Sequence, residues 1–242
     1  AETGERLRTL EADAYLSSAA FSPDGARVLT ASLFGGFVSI WNAESGVRLL
    51  KFRAHESALS SSVFSPDGRS VLTASCDRTA KVWNAETGGC IHALLGHALA
   101  VTCAGFSPEG SLVLTASKDT TAKLWDAGSG NRLWTLVGHT RDVSCAVFSP
   151  DGKLALTASG DKAARLWNVG SGQCLRIMDG HTLALSGARF SPDGALVLTA
   201  SDDLTAKLWN SETGECFLTL RGHSREVSSA TFSPEGALVL TA

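Results

Sequence analysis

Histidines stand at His55, His97, His139, His181 and His223, each 42 residues from the next. Each of the first four is followed at a fixed distance by a serine and an aspartate: Ser75 with Asp77, Ser117 with Asp119, Ser159 with Asp161, and Ser201 with Asp203. Nucleophilic hydrolases build their triads from these residue types. The repetition argues against that use, because an enzyme needs one cleft with perturbed groups rather than several equivalent sets. No catalytic residue is assigned. His92 is the only histidine out of phase and reads as a solvated strand residue.

The six cysteines raise the question of disulfides or zinc. Cys103 and Cys145 share one phase of the repeat, where other units carry Ser18, Ser61, Gly187 and Ser229; Cys90, Cys174 and Cys216 share another. Equivalent positions in neighbouring units are not expected to converge as metal ligands do, and no Cys-x-x-Cys occurs. The stretch Leu33-Phe34-Gly35-Gly36-Phe37 lacks the lysine and the strand–loop–helix context of a phosphate loop. Neither a metal nor a cofactor is assigned. Free thiols suit a reducing compartment, so an intracellular, cytoplasmic location is expected.

Composition narrows the class further. With 44% hydrophobic and 19% charged residues the chain can bury a core and is not of the disordered type. The net charge is −3 and the basic residues are scattered, so no nucleic-acid or membrane-surface footprint is visible. No apolar run approaches the roughly 20 residues of a membrane-spanning helix. The chain opens on Ala1 and is read as a piece of something longer.

Two more series run in register with the histidines. Phe-Ser-Pro-Asp/Glu-Gly begins at Phe21, Phe64, Phe106, Phe148, Phe190 and Phe232, and tryptophans stand at Trp41, Trp83, Trp125, Trp167 and Trp209. Three interleaved series of one period are a repeat architecture. In the unit from Gly96 to Gly138, Val101–Phe106 reads as a strand ended by the turn at Pro108 and Gly110. Leu112–Thr115 returns, Thr121–Trp125 follows Asp119 as a third strand, and Arg132–Val137 is a fourth. No helical period appears.

On these residues the chain resembles the WD-repeat family over essentially its whole length. The resemblance implies an all-β propeller of four-stranded antiparallel blades forming one domain over 1–242. Complete blades are expected at about 12–53, 55–95, 97–137, 139–179 and 181–221. A split blade from 1–10 and 223–242 lacks its third strand, the equivalent of Ser201 to Asn210. A six-bladed ring is favoured, with the fourth strand of the split blade over Glu5–Leu10. The family also implies a buried structural network of His, Ser or Thr, Asp and Trp. Here that gives His55, Ser75, Asp77, Trp83; His97, Ser117, Asp119, Trp125; His139, Ser159, Asp161, Trp167; and His181, Ser201, Asp203, Trp209. The first complete blade departs: Ala12 or Asp13 stands for the histidine, and its turn has an extra residue and no aspartate. It is expected to be the least rigid, or to have its loop put to another use.

The family's top rim maps onto positions that vary between units: Asp13, Tyr15, Phe34, Glu56, Lys118, Asp142, Asp202 and Glu226. Tyr15 and Phe34 put two aromatics, common binding anchors, on the atypical blade. The resemblance implies a non-catalytic scaffold whose partners are proteins or peptides, with self-association through the incomplete blade as a further expectation. The alternative is the C-terminal sensor or autoinhibitory repeat array of a larger signalling ATPase.

Overall fold

The segments Ser70–Ser75, Leu112–Ser117 and Leu196–Ser201 share the ending Val-Leu-Thr-Ala-Ser, an uncharged run suited to a strand covered on both faces. The computed structural model describes residues 9–11 and 15–242, and in it each of these runs is the fully buried second strand of a sheet. First strands are half-buried and fourth strands largely exposed. Burial thus follows position in the unit.

The first sheet comprises β1 (Leu16–Phe21), β2 (Arg27–Ser32), β3 (Phe37–Asn42) and β4 (Arg48–Arg53). The second has β5 (Leu59–Phe64), β6 (Ser70–Ser75), β7 (Ala80–Asn84) and β8 (Cys90–Leu94). The third has β9 (Val101–Phe106), β10 (Leu112–Ser117), β11 (Ala122–Asp126) and β12 (Arg132–Leu136). The fourth holds β13 (Val143–Phe148), β14 (Leu154–Ser159), β15 (Ala163–Asn168) and β16 (Cys174–Asp179), and the fifth β17 (Leu185–Phe190), β18 (Leu196–Ser201), β19 (Ala206–Asn210) and β20 (Cys216–Leu220). Among the described residues, β21 (Ala230–Phe232) and β22 (Val239–Thr241) form the sixth. Each sheet is an antiparallel meander in chain order. This is the expected all-β plan of five full blades and one lacking strands.

The turn joining first and second strands explains the Ser-Pro-Asp-Gly signature. In the first sheet the Ser22 hydroxyl accepts from Arg27 N at 2.9 Å, and Gly25 closes the turn at φ +72, a region that favours glycine. At the other end of the first strand a bulge recurs, before Ser18, Ser61, Cys145 and Gly187 and opposite Ser117 in the third sheet. The bulged residue's hydroxyl stitches neighbouring blades: Ser60 donates to Val101 O at 2.6 Å, Thr102 to Val143 O at 2.6 Å, and Ser144 to Leu185 O at 2.7 Å.

The core lies between sheets. Leu29 and Ile40 of the first sheet pack with Leu59, Val71 and Trp83 of the second. Equivalent clusters join the second to the third, the third to the fourth, and the fourth to the fifth. Leu198 and Leu208 of the fifth pack against Phe232 and Val239 of the sixth. First strands of all six sheets line one central cavity of about 890 Å³, as the blades of a propeller do.

The expected strand Glu5–Leu10 lies outside the described residues except for Thr9 and Leu10. Those two lie against Gly46, as Leu50 and Phe52 of β4 lie against Gly88. Thr9 and Leu10 thus meet the turn after β3 as β4 meets the turn after β7.

Candidate functional site

The regularly spaced polar residues meet inside each of the second to fifth sheets. His55, His97, His139 and His181 each place Nδ1 2.8 Å from an aspartate Oδ2, that of Asp77, Asp119, Asp161 and Asp203. The other ring nitrogen lies 2.8 Å from Thr73, Thr115 and Thr199 Oγ1, and 2.7 Å from Thr157 Oγ1. Each threonine in turn accepts a 2.9 Å hydrogen bond from the indole of Trp83, Trp125, Trp167 or Trp209.

These threonines correct the sequence reading, which gave that position to Ser75, Ser117, Ser159 and Ser201. Trp83 pairs with Val71, so Thr73 is its diagonal neighbour on the same face, about 7 Å along the strand, and Ser75 is about twice as far. The serines tie the turn instead. Ser75 Oγ accepts from Asp77 N at 3.1 Å and donates to Ala58 O at 2.9 Å. Ser117, Ser159 and Ser201 likewise accept from the N–H of Asp119, Asp161 and Asp203, and donate to Leu99 O, Arg141 O and Ala184 O.

One protonation pattern satisfies every member. A neutral histidine donates from Nδ1 to the aspartate and accepts at Nε2 from the threonine, which is left to accept from the tryptophan. Burial pushes all four histidines below their usual range, which favours this neutral form, although the aspartates oppose the shift. Burial alone would raise the Asp119 carboxyl. Hydrogen bonds from Thr121, the Ala98 amide and His97 outweigh it and bring Asp119 down to about 2. The Thr–His–Asp order looks like a triad, but Thr73, Thr115, Thr157 and Thr199 have no solvent exposure and are committed to an indole.

The network also clamps the turn between second and third strands. The residue after each aspartate, namely Arg78, Thr120, Lys162 or Leu204, has φ between +69 and +75, uncommon for any non-glycine residue. Asp77, Asp119 and Asp203 Oδ1 hold the backbone N–H beyond it at 3.0 to 3.1 Å, and the surrounding bonds over-determine the strained residue. The first sheet solves the same problem differently. Gly35 and Gly36 carry the positive φ in a four-residue turn, and Trp41 still donates to Thr30 at 2.9 Å. A side chain at Gly36 would meet His55 O at 2.0 Å.

The same turn meets the segment entering the first strand, and this builds one end of the molecule. Cys76 N donates to Ala58 O, Lys118 N to Ala100 O, Gly160 N to Asp142 O and Asp202 N to Ala184 O, all at 2.9 to 3.0 Å. In the first sheet it is Leu33 N, not Phe34 N, that donates to Tyr15 O, at 2.7 Å, because Leu33 follows Ser32 as Cys76 follows Ser75 and the extra residue of the longer turn comes after it. Tyr15, Phe34, Glu56, Lys118, Asp142 and Glu226 are exposed and Asp202 is half-buried; Asp13 lies outside the described residues.

Sequence reasoning passed over four exposed leucines at this end: Leu33, Leu99, Leu183 and Leu204. The signal was present for Leu99 and Leu183, which stand two residues after a network histidine where other units carry Ser57, Arg141 and Arg225. His92 is also less solvated than expected, with Nε2 2.8 Å from Gly128 O. Cys103 and Cys145 are neighbours across β9 and β13, but among the described residues no third His, Cys, Asp or Glu joins them as a metal-ligand group. All six cysteines are free thiols.

Comparison with known families settles the architecture's membership. The WD domain, G-beta repeat family matches at residues 4–42, 46–84, 88–126, 130–168, 172–210 and 214–242. The chain belongs to the WD-repeat family. Each full match begins at or just before the fourth strand of one blade and ends on the third strand of the next, so the sequence repeat of these WD units is offset from the structural blade. WD repeats generally mediate protein–protein scaffolding, bind proteins or peptides, and are typically non-catalytic. No curated protein matches the chain.

Proposed function

We propose that this propeller is a non-catalytic scaffold whose partner-binding surface is the end carrying Tyr15, Phe34 and the variable turn residues. One observation carries the reading: the backbone bonds that fix the strained turns also gather the residues that differ between blades onto one surface, while the repeated polar groups are buried. Tyr15 is 80% and Phe34 63% exposed, and Leu33 lies beside Tyr15. Exposed aromatics of this kind serve as anchors, and the charges of Glu56, Lys118, Asp142 and Glu226 supply a polar rim. Affinity capture from a native lysate tests it. A Tyr15→Ser, Phe34→Ser double variant should keep its melting temperature and lose the captured protein, whereas an Ile91→Ser control on an outer strand should retain it.

A second interaction is favoured by the sixth sheet. The outer edge of β22 pairs with no strand among the described residues, and His223 Nε2 already lies 2.7 Å from Thr241 Oγ1. An extended segment bearing a tryptophan would add main-chain hydrogen bonds there and offer its indole to Thr241. The donor is a segment of the same protein or a second copy, the latter giving self-association. A peptide of the Ser201–Asn210 sequence should raise the melting temperature by mass action, and its Trp→Ala version should not.

A further inference from the structure

Three side chains that the repeat plan does not call for meet beside the central cavity, two of them on its wall. Cys103 on β9 and Cys145 on β13 take positions held elsewhere by serine or glycine, and Arg189 on β17 takes one held elsewhere by Ala20, Val63, Gly105, Val147 or Thr231. The bulge in each first strand falls immediately before the cysteine and re-aims it toward the neighbouring blade. Where serines occupy this place they make ordinary contacts between blades: Ser18 and Ser62 hydroxyls lie 2.8 Å apart, and Ser61 Oγ accepts from Ala104 N at 3.2 Å. Here the contact is between sulfur and a cation. Arg189 Nη1 lies 3.2 Å from Cys145 Sγ and is steadied by a 3.1 Å bond to Ala188 O. Cys103 packs against the cluster containing Cys145, and both Cys103 and Arg189 face the cavity.

The electrostatics separate the two thiols. The neighbouring Cys103 thiol and the positive charge of Arg189 outweigh burial and hold the Cys145 thiol below its usual value. The neighbouring Cys145 and burial hold Cys103, whose thiol donates to Ala146 O at 3.6 Å, well above its usual value. A thiolate beside a guanidinium, with a second thiol at its side, is the arrangement of a reactive cysteine and its resolving partner. Cys76, Cys90, Cys174 and Cys216 are exposed.

We propose that Cys145 and Cys103 form a covalent modification site, at which Cys145 is oxidised by small hydroperoxides entering the central cavity and Cys103 resolves the product as a disulfide between blades. The Cys145 thiolate attacks one peroxide oxygen; the S–O bond forms, the O–O bond breaks, and the departing hydroxide takes a proton to become water. The Cys103 sulfur then attacks the Cys145 sulfenic acid. The S–S bond forms, the S–O bond breaks, and the leaving hydroxide takes the Cys103 proton as a second water. Two thiols have lost two electrons to one peroxide. The bond joins β9 to β13, and hydrogen peroxide is small enough to reach a sulfur that is only 7% exposed beside the cavity wall.

The reduced full chain treated with substoichiometric hydrogen peroxide, followed by intact mass and peptide mapping, tests the proposal. A single disulfide linking Cys103 and Cys145 should form while the other four cysteines still react with a thiol label. Cys103→Ser, which supplies the residue other blades carry, should stop the reaction at a Cys145 sulfenic acid detectable with a dimedone probe. Arg189→Thr, which introduces the residue type that the sixth sheet carries at Thr231, should stay folded and slow the reaction several-fold. Oxidation of the exposed cysteines with Cys103 and Cys145 left as thiols would overturn the proposal, as would an unchanged rate in folded Arg189→Thr.

Discussion

The first sheet and the four that follow it reach the same turn geometry by different means. In the second to fifth sheets a side-chain network of histidine, aspartate, threonine and tryptophan holds a non-glycine residue at positive φ. In the first sheet two glycines accept that conformation, Ser32 Oγ closes the turn by accepting from Phe37 N at 2.9 Å, and of the His–Asp–Thr–Trp network only the Trp41–Thr30 bond is retained. Stitching differs as well. Ser60, Thr102 and Ser144 reach into the next blade, whereas Ser17, at the equivalent position, donates to Ala31 O of its own sheet. A blade can thus be held by polar saturation or by backbone permissiveness. The second route frees its turn to carry exposed Leu33 and Phe34.

The sharpest way to break this comparison is to remove the threonine from each kind of blade. Thr115→Val keeps the shape but leaves His97 Nε2 and Trp125 Nε1 without partners. At about 1–3 kcal/mol for each orphaned buried group, the expected loss is about 2–6 kcal/mol. Thr30→Val orphans only Trp41 and should cost about 1–3 kcal/mol. Denaturant titrations returning equal losses would mean that the network is not what distinguishes the blades. The glycine route has its own weak point. Gly36→Ala combines a left-handed φ with a collision against the His55 carbonyl and should lower stability by more than about 1 kcal/mol in the same titrations.

Acidification should separate the blades more gradually. The network histidines are held below the ordinary value of 6.5 in the folded state, so the unfolded chain binds protons first and stability falls as pH drops below about 6.5. Asp119, lowered from 3.8 to about 2, adds a further loss as pH falls through that interval. Hydrogen exchange should therefore quicken at Val113–Ala116 before Leu29–Ala31. Simultaneous loss would show that the network is not locally coupled to pH.

Two smaller effects complete the series. Thr120→Gly relieves a β-branched residue at φ +69, a strain of about 1–2 kcal/mol, against an unfolded-state entropy cost of about 0.4–1 kcal/mol. A slight rise in melting temperature is expected, and a clear fall would mean that Thr121 and Asp119 do not hold the turn. Phe34→Ser, at an exposed position, should change stability by no more than about 0.5 kcal/mol.

What the sequence determined by itself was everything carried by local order. The repeat period, the strand between Ser-Pro-Asp-Gly and the next turn, the offset of each histidine from its aspartate, and the missing aspartate in the first blade were legible because the residues that carry them stand at fixed spacings from unit to unit. The strand lengths and chain-order meander followed from the same pattern. The tertiary structure decided what depends on side-chain direction across a twisted sheet and on contacts between blades. Thr73 rather than Ser75 meets Trp83 because the indole leans to its diagonal neighbour. Leu33 rather than Phe34 pairs with Tyr15 because the extra residue of the turn is accommodated after Leu33. Cys145 meets Arg189, 44 residues away, because a bulge re-aims it toward the next blade. A linear repeat records which residues are equivalent; only packing and twist determine which of them touch.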